Sequence, residues 1–226
     1  MQPQQPAHFT PQATPPSQPH SGKSWAIALI VSAIFLLAAA GVVAWLLVTR
    51  GSSTVGNAVH VDTNNDTKNV KTVAFVAPTD LPASYAKNDQ SKLDTTTIFY
   101  YDDASACGLT VTVLPLTTSD SVKDTIVKSI EAAETQGVTT ANSAVGDTHS
   151  LKDASNGKTY SFDSVELTQN VNVQGINFTK QHNVVLYKQF GQHIASIGYA
   201  CKDETWAAKK DELKKYVNEF TVKTTT

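Results

Sequence analysis

Residues 183–201, NVVLYKQFGQHIASIGYAC, decide the fold. Two runs rich in β-branched and aromatic residues, 183–190 and 192–201, flank Gly191, a pattern that predicts a β-hairpin turning there. Strand side chains alternate between faces, so Cys201 shares a face with Ala195, Ile197 and Tyr199. The same alternation along 109–114, LTVTVL, puts Cys107 with Leu109, Val111 and Val113. Both cysteines of the chain therefore point into a core, and a Cys107–Cys201 disulfide is expected. It closes a loop of about 94 residues, for which chain entropy gives roughly 4.6 kcal/mol and common experience about 2–4 kcal/mol.

Working outward, a strand is expected at 72–76 and another at 95–101 (TTTIFYY). A helix follows over SDSVKDTIVKSIEAAETQG, capped by Ser119 or Ser121, with Val122, Ile126, Ile130 and Ala133 as its apolar stripe and Gly137 as its stop. Asn156-Gly157 signals a tight hairpin between strands near 147–154 and 158–169. A closing helix is expected from about Glu204 to Phe220, capped by Asp203, with Trp206, Leu213, Val217 and Phe220 on one face. The order strands, helix, antiparallel strands, helix predicts an α+β domain over 72–226, a mostly antiparallel sheet covered by two helices.

Upstream, residues 25–48 carry no charge, and Ser32 is their only polar side chain. As a helix they would be roughly 36 Å long, enough for one transmembrane crossing and longer than the apolar stretch of a cleaved signal. One transmembrane helix, 23–50, is thus expected before the α+β domain. Trp25 and Trp45 stand near its ends with Lys23 and Arg50 just outside, where interfacial residues belong. Residues 1–22 hold six of the nine prolines and no charged residue, and are expected to be a disordered cytoplasmic tail. Residues 51–71 are polar and are expected to be a flexible linker spanning about 25 Å on average. The disulfide places the domain in an oxidising compartment, outside the cell membrane, with the N-terminus cytoplasmic.

Eighteen basic residues less Lys23 and Arg50 leave sixteen against twenty acidic ones after residue 50, a balance that disfavours nucleic acid. Arg50 is the only arginine, so the domain has no guanidinium fork for phosphate or carboxylate. Asp102-Asp103 reads as a solvated loop, and His149, His182 and His193 have no metal-ligand spacing. P-loop, GxGxxG and GxSxG patterns are absent. No catalytic, cofactor or metal residue is therefore assigned, and no enzyme is expected.

From Phe75-Val76-Ala77-Pro78 leading to Leu81-Pro82, through a strand pair, one helix, a long antiparallel meander and a closing amphipathic helix, the element order over 73–220 resembles the PsbP-like α/β/α sandwich domains. Some of these are anchored or lipid-linked extracytoplasmic proteins, and the resemblance implies a fold, not an activity. The expected role is an anchored extracytoplasmic domain that binds an unidentified protein or ligand or assists envelope assembly, held in the lipid bilayer by 25–48. The alternatives are an envelope hydrolase using unidentified carboxylates, and a sensor whose proline-rich tail recruits a cytoplasmic partner.

Overall fold

The computed structural model describes residues 53–59, 61, 65–92, 95–116, 121–134, 137–173 and 176–226. Ten strands, β1 (Thr72–Val76), β2 (Ala86–Asp89), β3 (Thr96–Asp102), β4 (Cys107–Pro115), β5 (Val138–Val145), β6 (His149–Asp153), β7 (Thr159–Val173), β8 (Ile176–Phe190), β9 (His193–Lys202) and β10 (Thr221–Thr225), form one sheet. The described helices are α1 (Ser53–Ala58), α2 (Val122–Glu134) and α3 (Asp203–Glu219). Strand order is β1-β10-β6-β7-β8-β9-β4-β3-β2, and β5 and β6 follow one another along the same edge of β7. Every pairing is antiparallel except β10 with β6. The sheet curls until β1 packs near β4 and β9, giving a half-barrel.

Strand alternation sorts the core into two layers. The inner face of the curl gathers Cys107, Leu109, Val111, Leu186, Ile197 and Tyr199, closed by Leu213, Val217 and Phe220 from α3 and its end. On the outer face Val165, Leu167, Val185, Tyr187 and Ile194 meet Val122, Ile126 and Ile130 of α2. Ser121 caps α2: its hydroxyl accepts the Asp124 amide at 3.1 Å. Strand β8 is thus covered on both faces, by Val184 and Leu186 on one and Val185 and Tyr187 on the other, which is why 184–187 reads as continuous apolar sequence.

The expected α+β architecture is corrected by this topology. The domain is dominated by a single curled sheet, and three of its strands were not legible. β2 (AKND) is exposed throughout and held by backbone pairing to β3. β5 (VTTANSAV) lies on the edge of β7 and lacks a strong apolar alternation. β10 (TVKTT) is strand only because β1 and β6 flank it. The expected transmembrane helix lies outside the described residues, and among those residues no helix is long and apolar enough to cross a membrane.

The linker boundary is corrected as well. Within 51–71, α1 buries Val55 and Ala58, and Val59 just after it is buried too, against Val122 and Ile126. Thr67 donates its hydroxyl to the Gln189 carbonyl at 2.6 Å, and the Gly191 amide donates to the Thr67 carbonyl at 2.9 Å. The turn foreseen at Gly191 is therefore seated under the 65–70 segment. Gly191 has φ +55°, and a Cβ there would stand 2.0 Å from the Val70 carbonyl oxygen. Gly191→Ala combines a left-handed backbone with a backbone clash, so a loss of about 1–3 kcal/mol is expected in chemical denaturation. An unchanged midpoint would show that this contact yields freely.

Candidate functional site

The register of β4 on β9 makes Cys107 and Cys201 direct cross-strand partners, with Cα atoms 4.2 Å apart, and the disulfide is formed. Both residues are buried, and the Thr205 hydroxyl of α3 lies 3.6 Å from the Cys107 sulfur. The bond is sealed under the first turn of α3, so it can brace two strands and a helix but offers no accessible thiol chemistry.

Next to it stands a stack of rings. The turn between Phe190 and His193 pairs His182 with Cys201 on the same face. Trp206 stacks on His182 with centroids 5.1 Å apart and on Tyr199 at 5.9 Å. Asp203, the first residue of α3, accepts from His182 Nε2 at 2.6 Å and from Lys180 Nζ at 3.2 Å. The His182 hydrogen bond first, then Lys180, holds its carboxyl below the ordinary range. Asp203 was expected as the helix cap, but Lys202 occupies that position without a side-chain cap bond. The carboxylate instead lies in the first turn, where the helix dipole favours it. Burial, then Glu166 and Asp147, push the Tyr199 phenol up. The cluster offers one ion pair, a flat indole and a buried phenol. That chemistry suits packing or recognition and supplies no activated nucleophile.

A second feature is an open cleft of about 490 Å³ where the curl brings β1 toward β3 and β4, lined by Thr72, Lys92, Thr95, Thr96, Pro115 and His193. His193 Nδ1 is buried there without a hydrogen-bond partner among the described residues. Among the described residues that line the cleft there is no Asp or Glu, whereas hydrolysis of a glycosidic polymer needs two carboxylates across one.

The other sequence candidates separate. His149 is buried and bonds Asn218 Oδ1 at 2.8 Å. Asp102 is not solvated as expected: it is buried at the end of β3, where it accepts from the Ser105 hydroxyl at 2.6 Å and the Ala104 amide at 3.3 Å. It shapes the β3–β4 turn. No group of three His, Cys, Asp or Glu residues that could hold a metal occurs among the described residues. Lys23, Trp25, Trp45 and Arg50 lie outside the described residues. The ring stack is not legible from the sequence: a hairpin centred on Gly191 would set His182 opposite Ala200, one residue from its observed partner Cys201, and a shift of one exchanges faces.

The fold is similar to PsbP-like domains, as the element order suggested. The solution structure of cyanobacterial PsbP (CyanoP) from Synechocystis sp. PCC 6803 is similar at TM-score 0.40 and 11% identity, covering 66% of this chain and 92% of that one. LpqN, involved in cell envelope biogenesis of Mycobacterium tuberculosis, is similar at TM-score 0.37 and 11% identity over 67% and 84% of the two chains. PA94, a protein of unknown function from Pseudomonas aeruginosa, is similar at TM-score 0.37 and 10% identity over 57% and 84%. No protein-family model matches the chain, and no curated protein matches it.

Proposed function

We propose that this chain is a single-pass membrane protein, N-terminus in the cytoplasm, that presents a non-catalytic half-barrel outside the membrane for binding or envelope assembly. The observation that carries the reading is the buried Cys107–Cys201 bond, because structural disulfides persist in oxidising compartments and not in the cytosol. The uncharged run 25–48 supplies the anchor. Only Thr49, Arg50, Gly51 and Ser52 separate that run from α1, a reach of about 17 Å at most. The half-barrel therefore works at the membrane surface rather than at the end of a long tether. Its sealed disulfide, which leaves no accessible thiol, supports binding over thiol chemistry.

Protease added to intact cells is expected to remove a C-terminal tag and spare an N-terminal one. A protected C-terminal tag, or a mature chain beginning near Gly41, would sink the topology.

A further inference from the structure

The outer face of the sheet is only half accounted for by the helices. The α1–α2 layer packs on β7, β8 and Ile194, while α3 packs on the opposite face. Over β3, β4 and β9 the outer face carries rows such as Thr97–Thr112–Ser196 and Phe99–Thr110–Gly198, matched residue by residue across the strands. None of its nine positions, alternate residues of 97–101, 108–112 and 196–200, is charged. A sheet face that meets water alternates toward charged side chains, so this one is built to be covered. Phe99 is 1% exposed in the chain, yet it belongs to neither hydrophobic cluster, and Thr110 and Thr112 beside it are buried to the same extent.

Three properties specify the cover. The buried hydroxyls of Thr97, Tyr101 and Thr112 find no hydrogen-bond partner among the described residues. A polar partner surface would pair them, whereas an apolar helix satisfies its own backbone and would not. The patch spans three strands by about five residues, roughly 10 by 17 Å, which matches the width of one helix over about three turns and falls far short of the roughly 800 Å² per partner of a stable dimer. Its glycines and small hydroxyl residues let a helix approach closely. The one helix-length segment of this chain that is both uncharged and apolar, 25–48, ends five residues before Ser53, where α1 packs on this same outer face. So short a connection gives a high effective concentration for docking.

We infer that, outside a bilayer, residues 25–48 lie as a helix across the outer face of β3, β4 and β9, and that membrane insertion draws them off and uncovers this face. The segment has two apolar resting places, and the half-barrel shields its own anchor before insertion. This concerns the chain before insertion and does not depend on which way the anchored chain faces.

The test uses the full chain, synthesised without lipid under oxidising conditions, with a photoreactive phenylalanine analogue at position 110. Formation of the Cys107–Cys201 bond serves as the folding check. Irradiation is expected to link position 110 to a peptide within 25–48 of the same chain. The link should fall to background when vesicles of phosphatidylethanolamine and phosphatidylglycerol are present and the chain becomes resistant to alkaline carbonate extraction. Thr112→Lys in the same chain should weaken the lipid-free link while the disulfide still forms. A link to a second copy, or no link to 25–48 without lipid, overturns the inference, as does a link that persists in carbonate-resistant chains. Failure to become carbonate-resistant, with the lipid-free link intact, would instead overturn the anchor.

Discussion

Cys107→Ser or Cys201→Ser is expected to lower the melting temperature by about 4–16 °C. The estimate joins about 2–4 kcal/mol for a native disulfide to roughly 2–4 °C per kcal/mol for a domain of this size. The loss has two physical parts. The bond closes a 94-residue separation, so the unfolded chain regains considerable freedom without it. The serine hydroxyl also replaces sulfur in a buried seam, beneath Thr205 and the stacked Trp206. Because β4 and β9 stay paired along Cys107–Pro115 and His193–Lys202, the variants should remain folded at low temperature. Calorimetry under non-reducing conditions measures the shift. An unchanged melting temperature, or ready labelling of either thiol in the native wild type, would remove the structural role assigned to this bond.

Asp153→Asn is expected to cost about 3 kcal/mol at neutral pH, and the cost should shrink in acid. Asp153 is fully buried at the end of β6. Its carboxylate accepts the Ser155 amide at 2.8 Å and hydroxyl at 2.6 Å, the Asn156 side-chain amide at 2.9 Å, and the Thr224 hydroxyl of β10. It thus ties the β6–β7 turn to the last strand. An asparagine turns one acceptor into a donor that faces donors, leaving buried groups unpaired at about 1–3 kcal/mol each. Burial opposes ionisation, but the hydrogen bonds from Ser155 and Thr224 outweigh it and hold the carboxyl below its ordinary value. A depressed folded pKa means that stability is present above the unfolded value of about 3.9 and lost as pH falls through the folded one. Denaturation of wild type and variant from pH 6 down to pH 3 should therefore show a gap that is constant above about pH 4 and narrows below it. A difference that stays constant over that range would show that the ionised carboxylate is not the source.

The same loop shows how far the sequence carried and where it stopped. Asn156-Gly157 marked a turn correctly, and Gly157 does take φ +75°. The type I′ turn that this pair suggests does not form, since Asn156 lacks the positive φ it needs; a buried Asp153 and the Thr224 hydroxyl hold the loop instead. At the other hairpin Gly191 announced the turn, while its seat under Val70 depends on a segment that composition alone reads as linker. The ring stack was hidden for a related reason: His182, Tyr199 and Trp206 come from β8, β9 and α3, and only an accurate register brings them to one face.

The sequence by itself determined the strands with strong apolar alternation, the two longer helices, the inward faces of Cys107 and Cys201, and the uncharged run 25–48. These are local properties, written in periods of two and about 3.6 residues and in side-chain polarity. Only the tertiary structure decided that β2, β5 and β10 are strands, that α1 belongs to the domain, and that the sheet curls into a half-barrel with one outer face left uncharged. Edge strands and short helices owe their form to the neighbours that supply hydrogen bonds and apolar cover. Those neighbours lie as many as 153 residues away, as Thr72 does from Thr225, where no local period reaches.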